Sequence, residues 1–130
     1  MSQLQIAFFG EAEKGKFHFP YFCTEVVDLY EKLGNPPEES LGLYYALQAL
    51  LYHQKVLFFR VREEGFSKED YFYGFKKLED PSKTGTIQAL FLPGVGDEEI
   101  LSQASIILLM HKGLLLMQEK DLYDYLTFSK

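Results

Sequence analysis

The chain contains no tryptophan and a single cysteine, Cys23. One thiol excludes an intramolecular disulfide, so the fold must hold by packing alone. Such sparse cysteine usage points to a reducing, cytoplasmic setting. No apolar run reaches the ~20 residues that a membrane span needs. The longest, Ile106 to Met117, is interrupted by His111, Lys112 and Gly113. Met1-Ser2-Gln3-Leu4-Gln5 lacks the basic and apolar regions of a secretory leader. Neither a leader nor a membrane partner is expected. Basic residues are outnumbered, 13 against 19 acidic, for a net charge of −6. That balance argues against a nucleic-acid backbone as partner. The three histidines, His18, His53 and His111, are dispersed without H-x-x-x-H spacing, which leaves zinc without a ligand pair. For His53 and His111 a place near a helix end, facing the C-terminal dipole, is account enough. Ser40 has no G-x-S-x-G context, so it reads as a helix cap rather than a nucleophile.

What the chain has in quantity is apolar and aromatic surface: 47% hydrophobic residues, with twelve Phe and nine Tyr. A length of 130 residues fits one domain, 1–130, since domains typically run ~100–150 residues. Leu4 to Phe9 is an apolar run stopped by Gly10, which reads as a buried strand. Phe17-His18-Phe19-Pro20 is a short strand or extended linker, and Pro20 keeps it out of a sheet centre. From Tyr21 to Leu33, helical spacing places Cys23, Val26, Val27, Tyr30 and Leu33 on one face, with Gly34 as the stop. A second helix is expected from Ser40, with Leu43, Ala46, Leu47, Leu50 and Leu51 as its stripe. Lys55 to Val61 is the second strand, rich in aliphatic and aromatic residues. Ser67 to Asp70 has capping-box spacing and opens a helix with Tyr71, Phe75 and Leu78 together. Ile87 to Leu92 is the third strand. Asp97 caps a helix whose face is Ile100, Leu101, Ala104, Ile107, Leu108 and His111. Leu114 to Met117 is the fourth strand, and Asp121 opens a last helix running through Thr127.

Near-continuous apolar strands alternating with amphipathic helices are what a sheet buried on both faces requires. The expectation is an α/β three-layer sandwich around a four-stranded, mostly parallel sheet in the order 2-1-3-4. At fold level this is similar to small flavodoxin-like and half-Rossmann domains, a likeness that does not set function. The competing arrangement pairs the first strand with Lys16–Phe19 as a hairpin and gives an α+β fold.

Gly10 to Phe17 carries the G-x-x-x-x-G-K spacing of a phosphate-binding loop. Phe17 stands where Ser or Thr would hold magnesium, Glu11 and Glu13 repel phosphate, and no helix follows directly. A solvated charged turn accounts for it better. In a 2-1-3-4 sheet the order reverses between the first and third strands, where ligands of such folds bind. Gly10, Glu11, Gly94, Gly96 and Asp97 face each other across that crevice and are the ligand-binding candidates. Carboxylates follow every strand: Glu11, Glu63 and Glu64, Asp97, then Glu119 and Asp121. Glu11, Asp97 and Glu119 are the metal candidates, with oxygen ligands suited to magnesium. Arg60 and Arg62 share one strand face and suit either an anion or neighbouring carboxylates. Cys23 falls on the apolar stripe and reads as buried and inert.

The tyrosines are the strongest hint of a partner. Tyr44-Tyr45, Tyr52 and Tyr71-Phe72-Tyr73 cannot all point inward, because neighbouring helical positions diverge by about 100°. Tyr45 and Tyr52 lie seven residues apart, close to one line along their helix, and are the interface candidates. Three functions are carried forward: a noncatalytic interaction or assembly module that self-associates or binds a protein, a small-ligand or nucleotide-binding domain at the switch point, and a magnesium-dependent hydrolase or phosphotransfer enzyme.

Overall fold

The computed structural model describes residues 4–128, so Met1 to Gln3, part of the segment read for a leader, lie outside the described residues. The strands are β1 (Gln5–Gly10), β2 (Pro20–Cys23), β3 (Lys55–Arg60), β4 (Ala89–Phe91) and β5 (Leu114–Leu116). The helices are α1 (Val26–Leu33), α2 (Gly42–Leu51), α3 (Lys68–Leu78), the single turn α4 (Pro81–Thr84), α5 (Glu98–His111) and α6 (Glu119–Phe128).

The sheet has five strands, not four, in the order β2-β3-β1-β4-β5. β1 pairs in parallel with β3 and β4, β4 pairs in parallel with β5, and β2 joins β3 antiparallel. The strand count and order therefore differ from expectation by one edge strand. Helical spacing from Tyr21 to Leu33 predicts a helix over its last three residues, Tyr21 to Cys23, whereas Pro20 belongs to the segment expected as a strand or extended linker. The helix begins only at Val26, and Cys23 ends β2, opposite Val56. Pro20 opens this strand at the sheet edge, where its missing N–H costs no ladder bond.

Helices cover both faces of the sheet. Ile6, Phe8, Val56, Phe58 and Phe91 pack with Leu29, Leu33, Leu43, Ala46, Leu50, Leu122 and Leu126 of α1, α2 and α6. Ala7, Phe9, Leu57, Phe59, Leu90 and Leu92 pack with Tyr71, Phe75 and Leu78 of α3 and Ile100, Ala104 and Ile107 of α5. The alternation of β1 thus feeds two cores. The buried face of α1 is Leu29 and Leu33; Val26, Val27 and Tyr30, expected inside, are exposed. Leu51 of α2, also expected inside, is exposed, and Ala49 is buried instead.

Candidate functional site

The carboxyl ends of β1, β3 and β4 converge as a parallel sheet demands. A helix N-terminus leaves backbone N–H groups that need an acceptor. α2 opens on Leu41 and Gly42, neither of which carries a capping oxygen. Glu64, from the loop after β3, supplies it: its carboxylate accepts from the N–H of Leu41 at 2.7 Å and of Gly42 at 3.1 Å. Oε1 of Glu64 also accepts from the N–H of Glu11 at 3.2 Å, and the N–H of Glu64 donates back to Oε2 of Glu11 at 2.9 Å. The two loops are tied reciprocally. Burial raises the Glu64 pKa, with the Glu11 charge adding to it, against the lowering by those backbone donors.

Gly10 and Gly42 let the backbones close over this carboxylate. A Cβ on Gly10 would sit 2.7 Å from Oε1 of Glu64 and 2.8 Å from Cα of Gly42. Glu64 thus joins the loops after β1 and β3 to the start of α2. Gly94, at φ +77°, packs against Gly65, whose Cβ position lies 2.5 Å from the Gly94 carbonyl oxygen. Gly96 faces open space.

Asp97 caps α5, accepting from the N–H groups of Glu99 at 2.9 Å and Ile100 at 3.1 Å, and pairs with Lys68 at 3.3 Å. Its pKa is lowered, first by the Ile100 N–H. Glu119 accepts a hydrogen bond from the Tyr45 hydroxyl. Glu11, Asp97 and Glu119 are thus engaged separately. Among the described residues, no group of three or more His, Cys, Asp or Glu side chains is placed to hold a metal. The loop with phosphate-binding spacing is a surface turn: the Lys16 N–H donates to the Tyr21 hydroxyl, and β2 follows rather than a helix.

The structure assembles a second polar cluster that sequence reasoning missed. Ser67 opens α3 as expected, but the capping box does not close, because the Ser67 hydroxyl bonds Glu63 instead. Asp70 turns inward and is buried. It accepts from the Arg62 N–H at 2.8 Å, from Nη1 of Arg62 at 2.6 Å, and pairs with Nε2 of His18 at 2.7 Å. Burial alone would raise the Asp70 pKa; these donors, the Ser67 hydroxyl and the Arg62 charge together lower it. The His18 ring stacks on Tyr73, and the Phe17 ring lies between the guanidinium groups of Arg60 and Arg62 at 4.3 and 4.6 Å. Arg62 thus pairs with a neighbouring carboxylate, Asp70, Arg60 donates to the Gly15 carbonyl, and both arginines pin the loop before β2. An aspartate at the third position of the box, eight residues after Arg62, was the available signal.

His111 is buried and bridges elements: Nδ1 accepts from the Ile87 N–H at 3.0 Å and Nε2–H donates to the Leu78 carbonyl at 2.7 Å. Its role is this bridge rather than the helix dipole alone. Cys23 is buried, and burial pushes its thiol up to about 11. Tyr45 and Tyr52 are half-buried on the α6 side. Tyr45 packs its ring against Tyr44 and Phe91, and Tyr52 meets Tyr123 edge-on.

Other exposed apolar side chains lie elsewhere. On α5, Ile106, Leu109 and Met110 form one outward stripe, and Leu109 is 79% exposed. Leu114, on the adjoining edge strand β5, is exposed as well. From Ile100 to Met110, α5 carries no charged residue. Among the described residues, no helix is long and apolar enough to cross a membrane. Comparison with protein-family models, curated proteins and solved structures finds no match for this chain.

Proposed function

We propose that this domain is a noncatalytic assembly module that pairs with a second copy of itself through α5. The observation that carries this reading is the uncharged stripe of Ile106, Leu109 and Met110, left open on a chain of net charge −6. A two-fold axis brings the same patch of each copy together, so any charge near the axis would meet its own sign. An uncharged patch is the one part of an acidic surface that can meet itself without repulsion. Exposed patches of a few hundred Å² commonly mark interaction sites.

Sedimentation at ~100 µM tests it, a concentration that populates any interface tighter than about −5.5 kcal/mol. The native chain should sediment as a dimer. Leu109→Glu with Met110→Glu should be monomeric with an unchanged circular dichroism spectrum. Tyr45→Ala with Tyr52→Ala is the second arm, because the tyrosine flank of α2 is the other candidate surface. Loss of the dimer there, with none in the α5 variant, moves the interface to α2. A native monomer at that concentration refutes self-association.

A further inference from the structure

We propose that the corner between α3 and α4 binds a compact polyphosphate anion, held by Lys76, Lys77 and Lys83 around a cavity of about 460 Å³. The cavity is lined by these three lysines with Tyr73 and Asp80, and its size falls in the range of small-molecule sites.

Charge placement is the first argument. Acidic side chains are in excess on this chain, and two lysines elsewhere find them: Lys68 bonds Asp97 and Glu99, and Lys120 bonds Asp124. No ion pair joins Lys76, Lys77 or Lys83 to any described residue, although all three are exposed and gathered at one corner. The end of α3 accounts for two of them, since cations favour the last turn of a helix. It does not account for Lys83, which comes from α4. Asp80 opposes one of the three charges, but its Oδ1 is committed to Ser82 as the α4 cap. The corner keeps a surplus of positive charge.

Rigidity is the second. Nζ of Lys77 sits 5.3 Å over the Tyr73 ring, and His18 stacks on that ring with centroids 4.5 Å apart. His18 is in turn fixed by buried Asp70. The wall of the cavity is thus braced from the core, which lowers the ordering cost of binding. Because Tyr73 is occupied by His18 and Lys77, the site offers charge rather than a stacking surface for a base. Ammonium groups are compact point charges that bind phosphate oxygens well. A ligand with two or three linked phosphates matches three such groups.

The test is calorimetric titration of sodium tripolyphosphate into the full chain at ~50 and ~200 mM salt, where screening differs strongly. Saturable one-to-one binding is expected at low salt, weaker at high salt, and roughly tenfold or more weaker in Lys76→Ala with Lys83→Ala. Lys112→Ala with Lys120→Ala removes equal charge elsewhere and should leave binding unchanged. Circular dichroism checks the fold of each variant, and Lys83→Gln alone serves if the double variant is unfolded. Absence of saturable binding by the native chain, or equal weakening by the Lys112 and Lys120 pair, overturns the proposal.

Discussion

Asp70 and Glu64 lie six residues apart and respond to burial in opposite ways. Burial is the largest influence on both, but Asp70 has Arg62, His18 and Ser67 to offset it, and Glu64 has only backbone donors and a like-charged neighbour. Asp70, held below the usual carboxylate range, stabilises the fold above its unfolded pKa of about 3.9, and that contribution is lost as pH falls through its lower folded value. Glu64, held above the usual range, does the reverse: its ionisation costs stability as pH rises through the folded value. Asp70→Asn should therefore lower stability at pH 7 by about 2–3 kcal/mol, the scale of lost charge-assisted hydrogen bonds. The deficit should shrink at about pH 3, below the ordinary carboxylate pKa, where the unfolded chain has largely taken up its proton. Urea titrations at both pH values measure it, and an equal deficit at both would show that the charge is not what matters. His111→Ala leaves the Ile87 N–H and the Leu78 carbonyl buried without partners. A loss of about 2–4 kcal/mol in urea unfolding is expected. A loss below about 0.5 kcal/mol, the range of surface substitutions, would mean that water replaces the ring.

Elements were legible where a period was strong and one-sided. β1, β3 and β4 read as apolar runs because both their faces are buried, and α2, α3 and α5 read from their inner stripes. α1 misled because Val26, Val27 and Tyr30 are spaced as a core face, yet Leu29 and Leu33 are what the sheet takes. Apolar spacing identifies a helix without saying which stripe is inward when both are apolar. α5 has the same ambiguity, and its second stripe is what suggests the dimer. Packing of α3 supplies a test with a decided sign. Ala is favoured over Gly in a helix interior by about 1 kcal/mol. At Gly74, however, a Cβ would lie 2.3 Å from the Phe9 ring, which is itself stacked between Phe59 and Tyr71. Overpacking a filled core costs about 1–3 kcal/mol, so Gly74→Ala should destabilise. Thermal unfolding of the variant above the native midpoint would show that Phe9 yields and that propensity wins.

For the whole molecule, the surface is divided by charge. The chain is acidic overall, the α5 stripe is uncharged, and the α3–α4 corner is positive. If copies pair through α5, folding and association are linked, and the unfolding midpoint should rise with protein concentration. Calorimetric scans at ~10 and ~200 µM check this, given that only a linked oligomer shows the dependence. An identical midpoint at both would place the native state as a monomer. High salt separates the two surfaces: pairing of an uncharged stripe should persist, whereas tripolyphosphate binding at the lysine corner should weaken.

The sequence by itself determined the fold class and the existence of a sheet with helices on both faces. Each follows from local period and composition, which a linear reading can see. Only the tertiary structure decided that Tyr21 to Cys23 form an edge strand, since pairing with β3 outweighs a helical period in a segment this short. It also decided the site. Glu64 caps a helix that begins 22 residues before it, and Asp70 is held by side chains from the loop before β2 and from the segment after β3. Both depend on where strand ends meet in space, which residue spacing along the chain does not encode.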